Sequence, residues 1–151
     1  LSDALRYMLY KTSSDTVQLK DEIEYLENYI ELHKIRYKKS VEITFNHDIE
    51  PSTTIAPLLY IILLENAFKH GARNSTKNGY INIDLKATKN LLDFRVENSF
   101  EKQTKKIKAQ IGGIGLANLK KRLELNYGPD FYSLDIIKEK NKYIAHLKVK
   151  L

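Results

Sequence analysis

The sequence feature that most constrains the fold is a segment that is apolar on nearly every side. Every residue from 58 to 64 is apolar, and Pro57 stands where a helix favours its first residue. A helix that is apolar all round has to be covered on every side by the rest of the domain. We therefore predict a buried helix over 58–70, with Gly71 placed to end it.

Hydrophobic periodicity predicts the elements around this helix. Spacings of three and four residues between apolar positions are typical of helices, and strict alternation is typical of half-buried strands. The predicted helices cover 1–11, 19–38 and 115–126, and the predicted strands cover 41–47, 81–85, 92–96, 132–136 and 145–151. Helices and strands that share one core form an α+β fold. We expect a two-layer α/β sandwich, with helices on one face of a mixed sheet and a helical segment before it.

Composition narrows the class of protein. The chain has no cysteine, which excludes disulfides and thiolate metal sites and fits a reducing cytoplasm. Its longest apolar run is far shorter than the ~20 residues that span a bilayer. The net charge of +6 suits a phosphate-bearing ligand, RNA or a membrane surface, and is equally typical of a solvated lysine-rich surface. Because the sequence does not begin with methionine, we expect it to be part of a longer chain.

A first polar cluster occupies the last turns of the predicted buried helix. Asn66 lies three residues before Lys69 and four before His70, so these side chains adjoin on the helix surface. An amide oxygen is a hard ligand suited to Mg²⁺, which takes few protein ligands beside phosphates and water. A lysine there would neutralise phosphate charge. The alternative interpretation is a polar last turn of a core helix.

A glycine-rich turn leads into the predicted helix over 115–126. It contains Gly112, Gly113 and Gly115. Glycine lets a backbone approach a ligand closely, and the N–H groups of a helix N-terminus bind anions. A flexible hinge explains these glycines equally well. A Rossmann dinucleotide site is excluded, because the glycines follow a charged loop rather than a strand.

Asn98 is the third candidate. In its predicted strand it has the parity of Leu92, Phe94 and Val96, so its side chain should point towards the core. A lone polar group in that place needs a partner, and the amino group of adenine would supply one. The alternative is an asparagine that starts an Asx turn at the end of the strand.

In this order, the three clusters resemble the ATP-binding domain of the GHKL superfamily, in particular that of LytS-type sensor histidine kinases. The matching segments are the end of a dimerisation helix at 1–7, a linking helix at 17–36, the N box at 57–71 and the last glycine box at 112–128. The resemblance implies a dimerisation tail and linker over 1–16 and an ATP-binding catalytic domain over 17–151.

The resemblance implies that the domain binds ATP with Mg²⁺, and it assigns roles to the candidate residues. Asn66 would hold Mg²⁺, while Lys69 and His70 would face the phosphates or the ribose. Asn98 would take the place of the aspartate that binds the adenine amino group. The remaining ATP-binding positions would be Gly112, Gly113, Ile114, Gly115 and Leu116. The polar loop over 99–111 would be the ATP lid.

Three positions depart from the family pattern. Asn98 replaces the aspartate, and Phe100 replaces a usual glycine. Ile62 stands where related ATPases carry a polar residue that polarises the attacking group. Glu65 is a candidate catalytic residue together with Asn66, but the resemblance does not carry a general-base role over to it. Positioning and charge neutralisation contribute most to this kind of phosphoryl transfer, so a missing base is tolerable.

The implied activity is that of a protein-histidine kinase. The γ-phosphoryl of ATP would pass to a histidine on the dimerisation and phosphoacceptor domain of the same protein, outside this fragment, and then to a response regulator. The full-length protein would be a homodimer, with this part in the cytoplasm and any membrane contact through its sensor region. We expect that the fragment alone does not autophosphorylate, because none of its four histidines has the neighbours of a phosphoacceptor.

Two other functions compete with this one. A nucleotide-binding regulatory module without kinase activity would explain Asn98, Phe100 and Ile62. A nucleic-acid binder would explain the net positive charge. However, the lysines of the loop over 99–111 have no interleaved aromatic residues on which bases could stack. We therefore expect no nucleic-acid partner.

Overall fold

The computed structural model describes residues 16–37, 41–69, 79–100 and 114–151. The predicted helix over 1–11, Gly71 and most of the predicted lid lie outside these residues. The described helices are α1 (Leu19–Tyr37), α2 (Tyr60–Ala67) and α3 (Ile114–Asn126). The described strands are β1 (Val17–Gln18), β2 (Val41–Ile49), β3 (Thr54–Ile55), β4 (Gly79–Ala87), β5 (Leu91–Ser99), β6 (Tyr132–Lys138) and β7 (Lys142–Lys150).

Five strands form one mixed sheet in the order β2-β4-β5-β7-β6. The strands β2 and β4 run parallel, which requires a crossover, and α2 lies between them in the chain. The other neighbouring strands pair antiparallel. Lys89 and Asn90 lie between β4 and β5. The prediction of a mixed sheet is confirmed.

One face of this sheet is apolar and the other is polar. In β5, Leu92, Phe94 and Val96 are at most 1% exposed and alternate with Asp93 and Arg95. The strand register aligns them with the apolar positions of β4 and β7. Residues of all three helices belong to the same core as these side chains. The predicted two-layer sandwich, with helices on one face of the sheet, is confirmed.

The core is centred on α2, the helix that the sequence predicts to be buried. Leu59, Tyr60 and Leu64 are 0% exposed. The ring of Tyr60 packs edge-on against Phe94 of the sheet, with 5.2 Å between the ring centroids. Replacing a buried leucine of this kind by alanine costs about 2–5 kcal/mol. This firmly packed helix carries Asn66 near its carboxyl end.

The helix α2 begins later than the sequence predicts. Pro57 is not its first residue, because Pro57 and Leu58 form a turn and the first helical residue is Tyr60. Leu58 has a φ of 58°, a left-handed conformation that costs a leucine about 1–2 kcal/mol. This turn takes the place of a first helical turn because its backbone groups bond to side chains of α1 and α3.

A second, two-stranded sheet was not predicted. The strands β1 and β3 pair antiparallel, with Val17 opposite Ile55 and Gln18 opposite Thr54. The N–H of Leu19 then donates to the carbonyl of Thr53 at 2.9 Å, which ties the start of α1 to the same segment. Strands of two residues contain too few positions for alternation to be visible in a sequence.

The helix α3 ends at Asn126, as the sequence predicts, and Tyr127 and Gly128 follow it. The N–H groups of these two residues donate to the carbonyls of Leu123 and Glu124, at 2.9 and 3.0 Å. Gly128 has a φ of 89°, and a left-handed residue after a helix favours glycine because a side chain there would be strained. The chain then turns towards β6.

Candidate functional site

Asn98 lies near the end of β5 and has an unused hydrogen-bond acceptor. It is 0% exposed on the apolar side of the strand, as its parity predicts. Its Nδ2 donates to the carbonyl of Ser99 at 2.9 Å. Within the described part of the chain, no donor reaches its Oδ1. The Asx turn considered above is therefore not formed, since it would need that oxygen as its acceptor.

This oxygen fits a ligand that brings an N–H donor. A buried acceptor without a partner costs about 1–3 kcal/mol, and such groups are few in folded proteins. An adenine amino group is an N–H donor of this kind. The oxygen of Asn98 is thus chemically suited to the role that the resemblance implies for it.

Asn66 lies on α2 and is joined to the sheet by Tyr143. The Nδ2 of Asn66 donates to the hydroxyl of Tyr143 at 3.2 Å. Tyr143 is 1% exposed and stands directly opposite Asn98 in the pairing of β5 with β7. Burial raises the pKa of the Tyr143 hydroxyl, and the hydrogen bond from Asn66 opposes this. One tyrosine therefore connects the two asparagines that were predicted to bind ATP and Mg²⁺.

Tyr143 was missed by the sequence analysis. The predicted strand began at Ala145, whereas β7 begins at Lys142. The signal was present, because Tyr143 has the same parity as the buried residues Ala145 and Leu147. A longer strand assignment would have placed its ring on the inner face of the sheet.

Glu65 lies on α2 and Lys69 lies two residues after its end, and both residues are exposed. Burial raises the pKa of the Glu65 carboxyl. Burial raises the pKa of Tyr25 and Tyr29 on α1, and the negative charge of Glu65 raises it further. This places the Glu65 carboxylate beside the tyrosines of α1.

An aromatic cluster lies beside this end of α2. The ring of His33 lies 4.4 Å from that of Phe68 and 4.3 Å from that of Tyr29, between ring centroids. Burial, and then the cation of Arg36, lowers the pKa of His33. The imidazole of His33 is thus packed among aromatic rings. The cluster joins α1 to the residue that precedes Lys69.

The start of α3 lies against α2. A side chain at Gly115 would meet Ile62 at 3.8 Å, an ordinary contact distance. Gly115 is exposed and Leu116 is half-buried, and the buried Leu119 anchors the helix one turn later. The backbone of Ile114 begins the helix. The other predicted site residues of this region lie outside the described residues, namely His70, Gly112 and Gly113.

The predicted lid begins too early. Ser99 is the last residue of β5, and the N–H of Tyr80 donates to its hydroxyl at 3.1 Å. Phe100 is 9% exposed, and its N–H donates to the carbonyl of Asn141 at 3.0 Å. Ser99 remains in the sheet because the pairing of β5 with β7 continues through Ser99 and Lys142, and Phe100 follows the end of the strand. The rest of the predicted lid lies outside the described residues.

The described residues contain neither a cluster of metal-binding side chains nor a membrane-spanning helix. Within them, no three His, Cys, Asp or Glu side chains are grouped so that they could hold a metal ion. A Mg²⁺ ion that is bound mainly by phosphates and water needs few protein ligands, and the amide oxygen of Asn66 would suffice as one. Within the same residues, none of the helices is long and apolar enough to span a membrane.

Solved structures define the class of this fold. The catalytic domain of the histidine kinase ThkA superposes with a TM-score of 0.62 at 17% identity, covering 89% of this chain and 93% of that one. The histidine kinase domain of a blue-light-activated kinase from Erythrobacter litoralis superposes with a TM-score of 0.68 at 14% identity, covering 99% and 72%. The chain has the fold of a histidine kinase catalytic domain.

Sequence comparisons place the chain more narrowly. A family model described as histidine kinase matches residues 1–41. The sensor protein LytS of Staphylococcus epidermidis is 28% identical over 100 residues, which cover 66% of this chain and 17% of LytS. The sensor protein kinase HptS of Staphylococcus aureus is 34% identical over 86 residues, which cover 56% and 16%. The chain is similar in sequence to these two sensor proteins, and the matches span less than a fifth of their length.

Proposed function

We propose that this chain is the ATP-binding catalytic domain of a sensor histidine kinase. It binds ATP with Mg²⁺ and positions the γ-phosphoryl group for transfer to a histidine outside the chain. The observation that carries the proposal is the unpaired, fully buried Oδ1 of Asn98, which faces the same side of the sheet as the Tyr143–Asn66 pair. The shared fold and the LytS-type relatives support it.

Each part of the nucleotide has a matching group in this proposal. Asn98 accepts a hydrogen bond from the adenine amino group, and Asn66 binds Mg²⁺ through its oxygen while Tyr143 holds its nitrogen. Lys69 and His70 face the phosphates or the ribose. Backbone N–H groups at the start of α3, those of Ile114, Gly115 and Leu116, bind phosphate oxygens. Gly112 and Gly113, which lie outside the described residues, are assigned the same role by the resemblance.

The partners follow from the same proposal. Residues 1–16 form the tail of the dimerisation helix and a linker, and residues 17–151 form the catalytic domain. The phosphoacceptor domain of the same protein, in a homodimer, supplies the histidine, and a response regulator receives the phosphoryl group. The kinase ThkA has been solved in complex with the response regulator protein TrrA. The domain would lie in the cytoplasm, below a sensor region anchored in the membrane.

Calorimetric titration with a non-hydrolysable ATP analogue tests the binding part of the proposal. The chain should bind the analogue with a clearly higher affinity when Mg²⁺ is present, because the ion joins Asn66 to the phosphates. Equal affinity with and without Mg²⁺ would remove the ion from the mechanism. No detectable binding of either form would overturn the proposed function.

Labelling with γ-phosphate-labelled ATP tests the transfer part. The longer protein should acquire an acid-labile phosphoryl group on a histidine upstream of this chain and pass it to a response regulator. The 151-residue chain alone should remain unlabelled. Acid-labile label on any of its own four histidines would contradict the assignment of the acceptor to another segment.

One observation favours the regulatory module as a second candidate. The half-buried Ile62 lies within 3.8 Å of the place where a side chain at Gly115 would stand. An apolar residue therefore faces the glycine box at the position where related ATPases carry a polar group. In this candidate, nucleotide binding persists while the longer protein transfers no phosphoryl group.

Binding to immobilised nucleic acid at moderate salt tests the remaining alternative, a nucleic-acid binder. We expect no such binding.

A further inference from the structure

The turn at residues 56–58 is held by side chains from two helices at once. The N–H of Leu58 donates to Oε1 of Glu22 on α1 at 3.0 Å. On the other side, Nη1 of Arg122 on α3 donates to the carbonyl of Leu58 at 3.0 Å, and Nη2 donates to the carbonyl of Pro57. The N–H of Ala56 donates to the hydroxyl of Tyr127 at 2.8 Å. We call this set of contacts the α1–α3 clamp.

The clamp is built from charges that water does not reach freely. Glu22 is 0% exposed, and Leu58 is 8% exposed. Arg122 is half-buried. Burial, and then the nearby Glu22 carboxylate, raises the pKa of the Tyr127 hydroxyl, so the acid and the phenol lie close together. A carboxylate and a guanidinium thus approach one strained residue from opposite sides. Removing either charge would weaken the hydrogen bonds that it makes to the turn, because hydrogen bonds to charged groups are stronger than those between neutral groups.

None of the clamp side chains belongs to the candidate nucleotide site. They lie on the segments that flank it instead. Glu22 is in the first turn of α1, while Arg122 lies two turns after Gly115 on α3. The clamped turn leads directly into α2, which ends with Asn66 and Ala67. The clamp therefore joins the three helices at the end of α2 that is away from the candidate site.

We propose that the α1–α3 clamp sets the position of the start of α3 relative to Asn66, so that Glu22 and Arg122 are positioning residues for the nucleotide site. This proposal rests on the proposed function for its consequence, but not for its geometry. The helices α1 and α3 both grip the same short turn. A displacement of α1 therefore moves the turn and changes where α3 presents its first N–H groups.

Hydrogen exchange tests the geometric part without any nucleotide. The 151-residue chain would be compared with Glu22→Gln, Arg122→Gln and the matched control Lys121→Gln, an exposed neighbour on the same helix. We expect Glu22→Gln to speed amide exchange across 114–126 at least tenfold, although Glu22 is on α1. The control should exchange like the parent. Faster exchange confined to α1 and residues 56–58 would overturn the proposal.

Nucleotide affinity tests the consequence. Below the unfolding temperature of every variant, Glu22→Gln and Arg122→Gln should each weaken Mg·ATP binding at least tenfold, while Lys121→Gln binds like the parent. Parent-like affinity in folded Glu22→Gln and Arg122→Gln would reduce the clamp to a structural role and overturn the proposal. If Arg122→Gln does not fold, Arg122→Lys should give an intermediate loss, because one ammonium group cannot serve both carbonyls with the same fork geometry.

If the parent itself binds no nucleotide, the proposed function fails, and hydrogen exchange alone decides whether the clamp positions α3. The two proposals therefore fail in distinguishable ways. If Glu22→Gln speeds exchange across 114–126, the geometric proposal is supported even in a protein that binds another ligand. If it does not, the geometric proposal is wrong even if ATP binds tightly.

Discussion

The two ends of α2 use buried polar groups in opposite ways. At the amino end, the Glu22 side chain accepts a hydrogen bond from the backbone of Leu58, and the Arg122 side chain donates to the carbonyls of Pro57 and Leu58. At the carboxyl end, the Oδ1 of Asn98 is buried with no donor among the described residues. A group that the protein satisfies itself stabilises the fold. In the proposed site, a bound ligand would supply the donor that the Oδ1 of Asn98 lacks among the described residues.

This difference has an energetic side. The strained Leu58 costs about 1–2 kcal/mol, and the protein's own side chains hold it in place. The unpaired oxygen costs about 1–3 kcal/mol, and a bound donor would remove that cost. A ligand that binds at the carboxyl end of α2 should therefore raise the thermal stability of the folded chain, by an amount that grows with the ligand concentration.

The largest expected effect comes from removing the unpaired oxygen. Asn98→Leu should abolish ATP binding, more than ~100-fold, because the adenine amino group would face a methyl group and lose its hydrogen bond. The fold should survive, since a buried polar group without a full set of partners is replaced by an apolar one. Calorimetry and thermal unfolding measure both quantities. Asn46→Leu, on an exposed position of β2, is the matched control; unchanged ATP affinity in Asn98→Leu would take Asn98 out of the site.

Asn66→Ala should have the next largest effect, restricted to binding that depends on Mg²⁺. Interactions with a charged group contribute about 1.5–3 kcal/mol, so the affinity for Mg·ATP should fall by about tenfold or more. Binding of ATP in the presence of a chelator should change little, and the fold should remain intact. A mutant that binds Mg·ATP as well as the parent would show that the ion is held elsewhere.

Asn98→Asp should raise the preference for ATP over GTP. A carboxylate only accepts, whereas an amide can rotate to offer its N–H₂ group to the carbonyl of guanine. The gain from a charge-assisted bond over a neutral one is about 1 kcal/mol, or roughly fivefold in the ratio of ATP to GTP affinity. Binding should also become more sensitive to pH. Competition between the two nucleotides measures the ratio, and a ratio that stays at the parent value argues against contact with the base.

Tyr143→Phe should weaken the same site by a smaller factor. The variant loses the acceptor that orients the Asn66 amide, a hydrogen bond that contributes about 0.5–1.5 kcal/mol. We expect a loss of roughly twofold to tenfold in affinity for Mg·ATP and no change for adenosine. The ratio of affinities with and without Mg²⁺ is the informative readout, because a general loss of packing would weaken both. Equal weakening of both would mean that Tyr143 acts only as part of the core.

The smallest effect concerns pH and the cluster beside Phe68. Burial lowers the pKa of His33 below its value in the unfolded chain, about 6.5. The unfolded state therefore binds more protons as the pH falls through that value, and the folded state loses stability there. His33→Phe should remove this part of the acid sensitivity, a difference of at most ~3 °C in Tm.

Much of the fold was predictable because periodicity reports burial directly. The ranges of α1, α3 and the five sheet strands agree with the sequence predictions to within a few residues. The inward direction of Asn98 followed from strand parity alone. In each case the pattern is set by residues two, three or four positions away, which are close together in the sequence.

The tertiary structure decided the features that depend on residues far apart in the chain. The local sequence predicts Pro57 as the first residue of a helix, yet Glu22 and Arg122 hold residues 57 and 58 in a turn. Tyr143 meets Asn66 across 77 positions of sequence, and no local pattern links them. Sequence by itself determined which side chains enter the core, because burial follows the period of each element. Which polar groups then find partners depended on how the helices and the sheet meet, since a hydrogen bond requires two atoms to lie about 3 Å apart.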